Sequence, residues 1–133
     1  MIKIIDECGF NIPYKQSIFP GGEVFIKLEP SYRMFEIVYI EATLESAKDI
    51  MELLLITNAL RVINPKVDIE LRLPYVPYAR QDRVMTFGES LSIKVFADII
   101  NSQNYSIVEI WDPHSDVTSA LFNNLVVVEQ HEI

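Results

Sequence analysis

Apolar residues recur with a strand-like pattern at 1–5, 23–28, 35–41, 67–73, 106–111 and 125–129, stretches rich in Val, Ile and aromatics. Several are apolar on both faces, as strands in the middle of a layered domain are. The period changes between Thr43 or Ser46 and Ile63. There Ile50, Leu53, Leu54 and Leu60 recur at three and four, and Asn64-Pro65 closes the run, which predicts a helix with Met51, Leu54 and Leu55 in the core. A second helix is expected over 90–102, with Leu91, Val95 and Ile99 on one stripe and Ser90 or Ser92 near its start. A shorter third helix fits 115–122. From residue 35 onward strands and helices alternate. That is the pattern of right-handed crossover units, and it predicts an α/β fold: a mostly parallel sheet with helices on both faces, in one domain spanning 1–133. The text before residue 35 is less regular. Phe19-Pro20-Gly21-Gly22-Glu23 reads as a turn leading into a strand.

Two polar clusters follow strands and precede helices: Arg80-Gln81-Asp82-Arg83 and Asp112-Pro113-His114. In open α/β sheets ligands sit outside the carboxyl ends of the strands, so both clusters are expected on one edge. Two of the five arginines stand three apart in the first cluster. A guanidinium fork suits phosphate oxygens, and paired Arg beside an amide and a carboxylate suits a polyphosphate with its metal ion. The plain alternative is a solvated turn that pairs internally through Asp82. His114, between Asp112 and Asp116, can ligate a divalent cation, donate to a phosphoryl oxygen or relay a proton, or it can be a hydrogen-bonded structural residue. His131 reads as an exposed side chain. Tyr75 and Tyr78 can offer rings to a base, although packing at a strand end is the simpler expectation.

The formal net charge of −8 argues against a general affinity for nucleic acid or anionic membrane, because both need excess Lys and Arg. No apolar run approaches the length of a membrane span, and no basic leader with an apolar core opens the chain. With one cysteine, Cys8, no disulfide framework is possible, so the cytoplasm is the expected compartment. Neither G-x-x-x-x-G-K-[ST] nor G-x-G-x-x-G occurs.

Taken together these segments resemble the N-terminal half of the ribose-phosphate pyrophosphokinases. Phe19-Pro20-Gly21-Gly22-Glu23-Val24 stands for the family's F-x-[DN]-G-E-x. Pro74 to Arg83 matches P-Y-x-x-Y-A-R-Q-D-R residue for residue. Lys48 to Leu54 with Asn58-Ala59-Leu60-Arg61, then Leu91 to Ala97, then Asp112 to Val117, match three further family segments with small changes. The resemblance implies a phosphoribosyltransferase-like fold of two similar halves and a transfer of the diphosphoryl group of Mg-ATP to the C1 hydroxyl of ribose 5-phosphate. It implies that Arg80, Gln81, Asp82 and Arg83 bind ATP, with Arg83 and His114 catalytic. It also implies that His114 and Asp112 meet Mg2+, and that Phe19 and Glu23 reach the adenine of a neighbouring subunit in a homo-oligomer. Ser31 and Arg33 would hold a regulatory phosphate. Ribose 5-phosphate belongs to the family's second half, whose sugar-phosphate loop these 133 residues do not contain. The chain by itself is therefore expected to be inactive. Gly21, Met34 and the stretch Val84-Met85-Thr86-Phe87 depart from the family pattern. They keep open a non-catalytic nucleotide-binding subunit. An unrelated metal-dependent hydrolase built on Asp112, His114 and Asp116 is the remaining alternative.

Overall fold

The computed structural model describes residues 1–30, 35–113 and 115–129. Five strands form the main sheet in the order β1-β4-β5-β6-β7: β1 (Ile2–Asp6), β4 (Ile37–Ala42), β5 (Asp68–Leu73), β6 (Ile107–Trp111) and β7 (Leu125–Val128). β1 runs antiparallel to β4, with Ile4 opposite Ile40, and the remaining neighbours are parallel. β2 (Tyr14–Ile18) and β3 (Val24–Leu28) form a separate antiparallel hairpin. The three crossovers are α1 (Ala47–Ile63), α2 (Ser92–Ser102) and α3 (Asp116–Leu121).

Each helix boundary has a local cause. Ser46 Oγ accepts from the Asp49 N–H, and Asp49 returns the bond through the Glu45 N–H, so α1 starts at the second of the two expected positions. At its other end Asn64 turns to extended backbone, and its amide donates to Phe35 O at 2.8 Å. Ser115 caps α3 through the Thr118 N–H. α2 differs from expectation. Its cap position is Leu91, and Ser90 and Ser92 bond each other at 2.8 Å instead of the helix backbone.

Burial alternates along the strands. Ile2 and Ile4, Val38 and Ile40, Leu71 and Leu73, and Val108 and Ile110 are buried. The alternate positions Tyr39, Glu41, Glu70, Arg72, Glu109 and Trp111 stay half-exposed, where Arg72 lies over the Tyr39 ring and pairs with Glu109. Coverage of the two faces is therefore unequal. β5 sits at the centre, so Leu71→Ala removes fully buried contacts at a cost of roughly 2–5 kcal/mol. Contrary to expectation, Met51 is 49% exposed and Leu54 and Leu55 are only half-buried. Met51 and Leu54 line a groove shared with Val95, Phe96 and Ile99 of α2.

The strand β2 was not apparent from the sequence pattern. Its burial runs from half-buried Tyr14 to exposed Ile18, with no buried aliphatic residue to mark a period. Among the described residues no helix is long and apolar enough to cross a membrane.

Candidate functional site

The crossover from β5 to α2 begins with anchors. Val76 and Ala79 are buried, and Ala79 N–H bonds Val76 O. Between them Tyr78 adopts φ 64°, a left-handed conformation that costs a side-chain-bearing residue about 1–2 kcal/mol. That turn is held by Gln81 N–H on Tyr78 O at 2.9 Å and by the Tyr78 ring on Phe96, 6.3 Å between centroids. Gln81 O in turn receives the Ile93 N–H from the first turn of α2. Past this point Arg80, Gln81 and Arg83 are exposed and Asp82 is half-buried.

The loop opens onto two clefts. Arg80, Asp82 and Arg83 line one of about 420 Å3 together with Val117 in the first turn of α3. The first cluster therefore stands beside the start of α3, the helix that follows the second cluster, while Asp112 and Pro113 are not among the residues lining this cleft. Gln81 lines the other, of about 570 Å3, with Tyr75, Tyr78 and the Glu45-Ser46 start of α1. Adjacent residues of one motif therefore serve different cavities. Tyr75 is 55% exposed and Tyr78 39%, so the expectation that both rings are packing residues fails for Tyr75 and holds in part for Tyr78.

The ion pairs among the described residues join Lys15 to Glu29, Arg72 to Glu109 and Lys94 to Asp98, and neither Arg80 nor Arg83 is in one. The arginine half of the internally paired turn is therefore not present. Asp112 follows β6 at φ 45°, its N–H bonded to Val128 O at 3.0 Å. His114, Ser31, Arg33, Met34 and His131 lie outside the described residues. Among the described residues no three His, Cys, Asp or Glu side chains cluster as a metal cage.

Phe19 and Glu23 close the β2–β3 hairpin through Phe19 N–H on Glu23 O and Gly22 N–H on Phe19 O. Gly22 takes φ 88°, which glycine alone adopts without strain. The Phe19 and Phe25 rings lie 5.3 Å apart and both remain substantially exposed. Neither cleft at the Arg80–Arg83 loop contains a hairpin residue of the same chain.

Comparison with known proteins agrees with this architecture. Residues 3–103 match the family described as the N-terminal domain of ribose phosphate pyrophosphokinase. The chain belongs to that family. It is 37% identical over 106 residues to the ribose-phosphate pyrophosphokinase of Mycoplasma pneumoniae, covering 79% of this chain and 32% of that protein. It is 29% identical over 125 residues to that of Saccharolobus solfataricus, covering 92% of this chain and 43% of the other. The crystal structure of phosphoribosylpyrophosphate synthetase from Mycobacterium smegmatis superposes with a TM-score of 0.71 at 26% identity, over 89% of this chain and 39% of that one. The chain thus spans between just under a third and just over two fifths of the length of these two relatives.

Proposed function

We propose that this chain is the nucleotide-binding portion of a ribose-phosphate pyrophosphokinase that transfers the diphosphoryl group of Mg-ATP to ribose 5-phosphate. The observation that carries the reading is the cleft of Arg80, Asp82 and Arg83. Two exposed guanidinium groups, in no ion pair with a described residue, flank a carboxylate at the carboxyl edge of a family-matched sheet. In the parent reaction the C1 hydroxyl oxygen of the sugar bonds to the β-phosphorus, the bond from that phosphorus to the α–β bridging oxygen breaks, and AMP leaves with that oxygen. Arg80 and Arg83 hold phosphate oxygens where negative charge accumulates, and such transfers are accelerated chiefly by alignment and placed charge. Gln81 faces the aromatic cleft and holds the leaving nucleotide. Phe19 and Glu23 reach the adenine of a neighbouring copy, which makes a homo-oligomer part of the site.

Mg2+ commonly takes one or two carboxylates and completes its shell with water and substrate phosphates, so Asp112, with His114 two residues on, would hold it. When bound, the ion neutralises charge on the phosphate chain. The sugar phosphate is held by the remainder of the longer protein, and these 133 residues by themselves do not turn over. Ser31 and Arg33 hold a regulatory phosphate. The cytoplasm supplies both substrates.

One observation favours a second reading, a non-catalytic subunit. Val84, Met85 and Phe87 are exposed just after the arginine loop, where cations would add phosphate grip. Titration with Mg-ATP tests the first reading. Binding that depends on Mg2+ and is lost in Arg80→Ala and in His114→Ala supports it, and AMP release on adding ribose 5-phosphate to the full-length parent separates catalysis from mere binding. Nucleotide binding indifferent to both substitutions overturns the site.

A further inference from the structure

Helix α1 carries a buried carboxylate that the transfer chemistry leaves without a role. Glu52 is 7% exposed, on the same side of the helix as Leu53 and Ile56. Its two oxygens are bound separately: Oε1 accepts from Tyr14 Oη and Oε2 from Gln16 Nε2, each at 2.6 Å. Both donors stand on β2, two residues apart, and therefore on one face of that strand. Opposite them on β3 are Leu28 and Ile26. This face loses cover toward the tip. Leu28 is buried, Ile26 is half-buried, and the last pair is half-buried Val24 with exposed Ile18. The hairpin is thus packed at its base and free at its end, and the β2 strand contributes no fully buried side chain of its own. Two charge-assisted hydrogen bonds from one fixed point on a helix set the angle at which the tip leaves the body.

We infer that Glu52 is a positioning residue. It clamps the β2–β3 hairpin to α1 so that Phe19 and Glu23 are presented at a fixed distance and angle to the nucleotide bound by a neighbouring copy. The inference rests on the proposed nucleotide reading. A carboxylate accepts from both strand donors at once, which leaves the Tyr14 proton on Glu52 at 2.6 Å rather than on Ile2 O at 3.4 Å. Gln at this position accepts from one and offers N–H₂ to the other, which Gln16 Nε2 cannot accept and the Tyr14 hydroxyl accepts only by moving its own proton to the longer bond with Ile2 O. An aliphatic residue fills the space and holds neither strand position. Burial raises the Tyr14 hydroxyl pKa, with the Glu52 bond adding to it, so that oxygen remains a donor throughout the range in which the clamp acts.

The test uses Glu52→Gln and Glu52→Asp beside Tyr14→Phe in the assembled protein, with two readouts. Amide hydrogen exchange is compared between the hairpin and the central strands. The Mg-ATP dissociation constant is measured with and without Phe19→Ala. Glu52→Gln is expected to speed exchange over residues 15–25 about tenfold or more while β4 and β5 keep their protection. It is expected to weaken Mg-ATP about fivefold or more, and that loss disappears when Phe19→Ala is already present, because the residue acts through the tip. Tyr14→Phe gives part of the effect. Glu52→Asp, which keeps both acceptors on a shorter arm, restores part of the protection. Unchanged hairpin exchange in Glu52→Gln overturns the clamp. Faster exchange with unchanged affinity, or an affinity loss that simply adds to that of Phe19→Ala, overturns the positioning role. An affinity indifferent to Phe19→Ala alone overturns the nucleotide reading of the tip, and the functional half of the inference falls with it. In that case the exchange data still decide whether the clamp exists.

Discussion

The two edges of the main sheet use their polar residues in opposite ways. At the amino edge of the parallel strands, side chains are committed to backbone. Asp6 takes the N–H groups of Cys8 and Phe10, Glu7 takes those of Glu36 and Ile37, and Asn64 donates to Phe35 O. At the carboxyl edge Arg80 and Arg83 stand exposed around a cleft, joined to no described residue by an ion pair, and the chain passes through left-handed turns at Tyr78 and Asp112. The amino-edge side chains are spent on backbone groups, with Asp6 taking both of its N–H groups on Oδ1. Arg80 and Arg83 keep their bonding capacity open, whereas left-handed backbone does not distinguish the edges, since Asn104 and Asn124 adopt it just before β6 and β7.

This contrast yields predictions of decreasing size. The double substitution Arg80→Ala with Arg83→Ala is expected to weaken Mg-ATP about a hundredfold, roughly 2.7 kcal/mol, while thermal unfolding shows stability within about 0.5 kcal/mol of the parent. A comparable loss of stability would mean that the arginines support the fold. The buried Thr57 and Tyr105 hydroxyls, 2.7 Å apart, give the reverse case. Thr57→Val strands the Tyr105 hydroxyl and costs about 1–3 kcal/mol in denaturant unfolding with no change in nucleotide affinity. Burial pushes the Tyr105 pKa up to about 12.

At the amino edge the bond from the Glu36 N–H, then the other backbone bonds, hold the Glu7 carboxyl below its ordinary value of 4.5. A depressed folded-state pKa stabilises the fold above the unfolded value, and this contribution is lost as pH falls through the folded one. Glu7→Gln is therefore expected to flatten the decline of melting temperature below about pH 4.5 and to leave neutral-pH affinity unchanged. The smallest effect belongs to Gly21→Ala. The new Cβ would meet Glu23 Oε1 at 3.1 Å, the end of a flexible side chain that can move. Stability stays within about 0.5 kcal/mol and Mg-ATP affinity within about threefold by calorimetry.

Legibility followed burial. The strands of the main sheet were visible in the sequence because alternate residues such as Val38 and Ile40 or Ile69 and Leu71 are buried under helices. β2 was hidden because the groups it turns inward are Tyr14 and Gln16, which bond a helix carboxylate rather than fill a core. Glu52 itself sits among Leu53, Ile56 and Leu60, and nothing in a periodic apolar pattern distinguishes a buried carboxylate from an exposed one. The Arg80–Arg83 cluster stood out because charges follow an apolar strand directly. Its division between two clefts did not, since the direction of each side chain depends on the left-handed turn at Tyr78. The exposure of Met51 likewise depends on α2, which packs beside α1 and leaves a groove between them.

The central claim is that the nucleotide is received at the carboxyl edge of the main sheet and not at its amino edge, and amide chemical shifts followed by NMR during addition of Mg-ATP test it most directly. Concentration-dependent shifts are expected over 78–83, around 112–117 and, in the assembled protein, at the hairpin tip 19–23, with the amides of 6–10, 36–37 and 64–67 unmoved. Shifts centred on the amino edge, or spread over the molecule without focus, would contradict it.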